Sequence, residues 1–149
     1  MDRFISMSAE NSKQFAALYR NVFNASPWND GWSMLAAIER LESFAAMPTF
    51  RGLSIFRDDK AIGIVLGWGE RWVNGWLFHL KEVCVHADYQ RQGIGQKLMH
   101  EFEKRLSEDG FVGMNLQTGM QMPARNFYEK LGYAPRSLVT LSKPLLVGD

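Results

Sequence analysis

The stretch from Leu80 to Gly95 gathers the residue types and spacings best suited to chemistry. Val83 and Val85 alternate with Glu82 and Cys84, as in a half-buried strand. Past the turn, Ile94, Leu98, Phe102 and Leu106 recur every fourth residue and lay one apolar stripe along a helix. Between them lies Gln90-Arg91-Gln92-Gly93-Ile94-Gly95, where two glycines let a ligand approach the backbone. The first amides of a helix have no internal partner and sit at its positive end, so this turn suits a phosphate or pyrophosphate. A dinucleotide fingerprint would need a glycine at position 98, where Leu98 stands, and Gly95-Gln96-Lys97 lacks the ending of a P-loop.

Other reactive side chains lie close by. Glu82 is a carboxylate in an otherwise apolar strand, which makes it either a general base or half of a salt bridge with Lys81 or Arg71. His79, Glu82 and His86 suggest a metal site. Residues three apart on a strand point to opposite faces, however, so His79 and Glu82 could converge only at a bulge, and no metal is expected. Cys84 has no histidine partner at local spacing and reads as a small buried residue.

The elements that must position these groups follow from periodicity and breakers. Residues 3–7 read as a strand, followed by a helix on Phe15, Leu18, Tyr19, Val22 and Phe23 with Ser8 as its cap. A second helix is expected from Asp30, burying Leu35, Ile38, Leu41 and Ala45 and ending at Pro48. Strands follow at 52–57, 61–72 and 76–85, then the long helix, a strand at 112–117, a helix at 123–130 and a last strand at 136–143. Three strands joined by short turns should form an antiparallel meander, and the crossover after the long helix adds a parallel neighbour. The expected class is therefore α/β (α+β): a mixed, mainly antiparallel sheet with helices on both faces.

Composition narrows the functions. The 149 residues, 46% of them apolar, suit a single domain spanning 1–149. Seventeen basic against 16 acidic side chains, net +1 without a run of one sign, point to neither nucleic acid nor a membrane surface as partner. A single cysteine and no signal-peptide core fit a cytoplasmic location.

A second motif lies downstream. Pro123-Ala124-Arg125-Asn126-Phe127-Tyr128-Glu129-Lys130-Leu131-Gly132-Tyr133 is a short helix opened by proline and closed by glycine. Together the two motifs resemble the GNAT superfamily of acetyl-CoA-dependent N-acetyltransferases, whose signature Gln/Arg-x-x-Gly-x-Gly/Ala is filled by Gln90, Gly93 and Gly95. One departure is Gln121, where many members carry Asn.

The resemblance implies a site. Two central parallel strands would splay, and Val83, Cys84 and Val85 would offer a backbone edge to the pantetheine arm of acetyl-CoA. The amides of Arg91, Gln92, Gly93, Ile94, Gly95 and Gln96 would hold its pyrophosphate, and Gln90, Asn126 and Tyr128 would also meet the cofactor. Tyr128 aligns with the general acid that protonates the departing thiolate, and Glu82 is the leading general base. Trp28 and Trp32 between the first two helices, with Trp72 and Trp76 at the third-to-fourth strand turn, would wall the acceptor beside Glu82. A primary amine of a small cationic molecule, polyamine- or aminoglycoside-like, is the expected acceptor. A protein lysine or N-terminal amine and a non-catalytic acyl-CoA-binding module are the alternatives; a monomer and a homodimer are both open.

Overall fold

The computed structural model describes residues 1–120 and 123–146. The chain divides into two compact units, Met1–Gln117 and Thr118–Asp149. The first unit holds β1 (Asp2–Met7), a short turn of 3-10 helix (Ser12–Phe15), α1 (Ala16–Asn24), α2 (Met34–Ala45), β2 (Phe50–Arg57), β3 (Lys60–Trp72), β4 (Gly75–Val85), α3 (Ile94–Glu108) and β5 (Phe111–Asn115). Its sheet runs in the order β1-β2-β3-β4-β5, antiparallel throughout except for the parallel pair β4 and β5. The expected fold class holds. Among the described residues no helix is long and apolar enough to cross a membrane.

Tight turns account for the meander. Arg57 pairs with Lys60 across a two-residue loop whose Asp58 has φ +55°, a conformation that suits the right-handed twist of the flanking strands. Ile64, Leu66 and Cys84 share one cluster with Phe15, Tyr19, Phe23, Leu41 and Phe44, so α1 and α2 cover one face of the sheet. On the other face the Phe102 ring of α3 meets Phe78 edge-on at 5.3 Å. The α3 stripe of Ile94, Leu98, Phe102 and Leu106 is buried as its spacing predicts. Asp2 ties the first strand down, accepting from Arg57 at 2.8 and 3.0 Å and from Lys97 of α3 at 2.9 Å.

Several local expectations are corrected. Ser8 is not the cap of the first helical segment; its carbonyl accepts from Asn11 and Ser12, and Asn11 stands at the cap position. α2 starts at Met34 rather than near Asp30, because the Ser33 hydroxyl accepts from the Ala36 amide at 3.1 Å. Leu35 then falls on the outer side of the first turn and is 67% exposed. The stretch 136–143 forms no strand, and the parallel pair therefore stands at the end of the sheet order rather than at its centre. Strand-like alternation supplies only the propensity; a strand also needs a neighbour to pair with.

One irregularity shapes the site. Leu66 pairs with Glu82 and Gly67 with Leu80, which leaves Lys81 bulged out of the ladder. A Cβ on Gly67 would collide with the His79 carbonyl, so only glycine allows the strands this close. The extra residue inverts the alternation of β4, and His79 ends on the same face as Glu82.

Candidate active site

The parallel ladder of β4 and β5 ends at His79 and Asn115. From Leu80 to Val85, β4 keeps β3 on one edge and has no strand on the other among the described residues. Val83, Cys84 and Val85 lie on this open edge. The Cys84 side chain faces the α1/α2 cluster, where burial and then the Glu82 charge push its thiol pKa up. It stays a neutral thiol and packs as an apolar residue.

Directly after β4, His86 accepts from the Asp88 amide, and the Gln90 side chain donates to the Val85 carbonyl at 2.9 Å. These bonds tie the turn to the end of the strand. Arg91 takes φ +63° and Gly93 φ +79°, which reverses the chain so that α3 begins at Ile94. Gln92 donates to the Asp88 carbonyl at 3.1 Å, and the buried Ile94 anchors the turn to the core. A Cβ on Gly93 would meet nothing within 4 Å, so the space above the turn is open. The amides of Ile94, Gly95 and Gln96 open α3 and lack intrahelical acceptors, which is the donor set a pyrophosphate needs.

On the α1/α2 face, Glu82 accepts from Arg40 Nη2 at 2.5 Å and from the Tyr19 hydroxyl at 3.2 Å. Its partner is thus Arg40 of α2, not Lys81 or Arg71. The guanidinium lies among ring faces, 4.9 Å from Phe44, 5.2 Å from Trp32 and 5.9 Å from Tyr19. Burial opposes its charge, but the hydrogen bond and charge of Glu82 outweigh that and raise the Arg40 pKa. Burial first, and the Glu82 charge second, raise the Tyr19 pKa, so its phenol remains a neutral donor. Sequence reasoning placed Tyr19 in the core and missed Arg40, which lies 42 residues from its partner and carries no local signal.

The pair is mostly enclosed, with Arg40 27% and Glu82 11% exposed. Removing only one charge should therefore be costly. Arg40→Met is expected to destabilise the fold by about 2–3 kcal/mol, and adding Glu82→Gln should recover much of that loss. Urea midpoints check both; a single variant as stable as the parent would mean that the pair is solvated.

The tryptophans do not form one wall. Trp32 lies on the Glu82 face, 5.4 Å from the Tyr19 ring, with its indole nitrogen donating to Asp30 at 3.1 Å. Trp28 stacks edge-on against Phe23 and lines a hollow of about 300 Å³ with Leu18, His86 and Gln90. Trp76 belongs to the opposite face, against Phe111 at 6.4 Å, and Trp72 stands 56% exposed at the hairpin end. The structure gathers Trp32 with Glu82 and leaves Trp72 and Trp76 apart from them.

The second unit contains α4 (Pro123–Lys130). Asn126 is exposed on it, and the Tyr128 ring is half-buried between Phe127 at 5.2 Å and Tyr133 at 6.0 Å. Arg125 pairs with Glu129 at 2.7 Å. Gly132, at φ +98°, ends the helix, and the Tyr133 amide returns to the Tyr128 carbonyl. Gln121 lies outside the described residues.

The site thus consists of a turn with free helix-opening amides that follows directly on a strand edge left open among the described residues. The model of the acetyltransferase (GNAT) family matches residues 15–133, and the chain belongs to that family. It is 31% identical over 78 residues to the N-terminal acetyltransferase B complex catalytic subunit NAA20 of Arabidopsis thaliana, a match covering 50% of this chain and 44% of that protein. The chain thus spans less than half the length of that curated relative. Among solved structures it is similar to the aminoglycoside acetyltransferase meta-AAC0020 from an uncultured soil metagenomic sample in complex with sisomicin, with TM-score 0.81, 20% identity and 97% of both chains covered. A possible acetyltransferase from Clostridium difficile 630 gives TM-score 0.84 at 15% identity over 99% of both chains. At such identities these structures establish the fold.

Proposed function

We propose that this protein moves acetyl from acetyl-CoA to a primary amine as a single acetyltransferase domain. The observation that carries the reading is the Gly93 turn at the start of α3, open above and joined to the edge of β4 that no strand pairs among the described residues. Amides from Arg91 to Gln96 hold the pyrophosphate. The edge Val83-Cys84-Val85 takes the pantetheine arm as an added strand. Tyr128, and with it Asn126, takes its role from the family motif: the phenol protonates the departing thiolate. Glu82, the base singled out by the sequence, shares one face of β4 with His79, and the group that takes the acceptor's proton belongs to that face.

The acceptor is a small cationic amine. Trp32 and Glu82 provide the ring and carboxylate for it, with Trp28 beside the turn, and Trp72 and Trp76 would serve only an acceptor long enough to reach the hairpin. Support comes from the aminoglycoside acetyltransferase fold neighbour. The match to NAA20 favours a second reading, in which the acceptor is the N-terminal amine of a peptide. Acetyl-CoA-dependent thiol release, screened against polyamines, aminoglycosides and N-terminal peptides, separates the two. Turnover on peptides alone would overturn the small-molecule reading, and release with no acceptor class would overturn acetyl transfer itself.

A further inference from the structure

The bulge at Lys81 brings a second acid–base group to the Glu82 face. His79 Nε2 lies 2.8 Å from Glu70 Oε1 on the neighbouring strand. That bond uses the proton on Nε2 and leaves Nδ1 as the basic nitrogen. His79 is also the last residue of β4 paired to β5, so it stands at the fork where the open edge begins. Glu82 is committed to Arg40 and Tyr19 and is 11% exposed, whereas the His79 side chain is 32% exposed. The charged groups joined on this face are Glu70 of β3, Glu82 of β4 and Arg40 of α2. Trp68, stacked on Phe44 at 6.0 Å, lies 6.1 Å from the imidazole and links the two clusters.

We infer that His79, held in position by Glu70, takes the ammonium proton of the acceptor; the inference rests on the acetyl-transfer reading. The neutral imidazole removes one proton from R–NH3⁺, giving R–NH2 and an imidazolium facing the Glu70 carboxylate. The nitrogen lone pair bonds to the thioester carbonyl carbon, and the C–S bond breaks with its electron pair on sulfur. The surplus proton on nitrogen passes to that sulfur through the general acid, and the imidazolium returns its proton to solvent. Glu70 acts through His79 and is a positioning residue. Glu82 and Arg40 form the charged wall of the acceptor side.

The test is kcat/KM against pH for the parent, His79→Gln, Glu70→Gln and Glu82→Gln, with acetyl-CoA and either spermine or sisomicin. A base must be unprotonated, so the rate rises with pH, and a limb belonging to the enzyme falls at the same pH with both amines. His79→Gln should lower kcat/KM by roughly 100-fold and remove that limb. Glu70→Gln should lower kcat while leaving KM for the amine nearly unchanged, because the imidazole loses the carboxylate that orients it, and Glu70→Asp should restore part of the loss. Glu82→Gln should keep it. Retained acetyl-CoA affinity by calorimetry shows that each variant is folded, and His79→Asn substitutes for a His79→Gln that is not. A limb that survives without His79, or that vanishes without Glu82, assigns the proton to another group. An unchanged kcat in Glu70→Gln removes Glu70 from the arrangement. No transfer by the parent to any amine would overturn the function and this assignment together.

Discussion

Gly93→Asp should lose acetyl-CoA binding by roughly 100-fold while the protein stays folded. Gly93 sits at φ +79°, where aspartate is among the better tolerated side chains, and its Cβ would enter open space. The folding cost is therefore about 1 kcal/mol. The binding cost is larger. A carboxylate placed over the first amides of α3 competes for the same donors and repels the pyrophosphate. At about 4 Å and an effective dielectric constant near 20, a pair of unit charges is worth about 4 kcal/mol. Gly93→Asn has the same shape without the charge, so it separates bulk from repulsion and should lose much less. Titration calorimetry at two salt concentrations reads both, and the Asp variant should recover part of its affinity at high salt. An Asp variant that binds like the parent would move the pyrophosphate away from this turn.

Tyr128→Phe should lower kcat by a factor on the order of 10 to 1000 without weakening acetyl-CoA binding. The substitution keeps the ring and its contacts with Phe127 and Tyr133 and leaves the Gly132 cap untouched. Losing an interaction made only in the transition state lowers kcat and kcat/KM together. Single-turnover rates establish whether chemistry limits the parent. Equal single-turnover rates in parent and variant would take the acid role from Tyr128. A fall in KM performance alone would make the tyrosine a binding residue.

Much of the frame is written locally in the chain. The stripe Ile94, Leu98, Phe102 and Leu106 repeats at helical spacing, so its burial follows from the 3.6-residue turn once any sheet lies beneath it. The glycines at 93 and 132 mark positive-φ positions because only their own backbone geometry is at stake. The hairpin between β2 and β3 is likewise set by the two residues that turn it. Where a neighbour has to agree, local reading fails. The stretch 136–143 has the alternation of a strand yet none forms, and Leu35 has the right spacing but lies outward because a serine three residues on from Asp30 caps the helix.

The sequence by itself determined the meander and the glycine turn that opens α3, since each depends on residues within a few positions of one another. Only the tertiary structure decided what surrounds Glu82. Tyr19 and Arg40 reach it from 63 and 42 residues away, and their approach depends on how α1 and α2 settle on the sheet. The bulge at Lys81 is decided the same way: it is a mismatch between two strands, visible only when Leu66 is seen opposite Glu82 and Gly67 opposite Leu80. Side-chain alternation is a rule of period two, so one unpaired residue reverses it for everything before it. That reversal is what places His79 on the Glu82 face rather than on the far one.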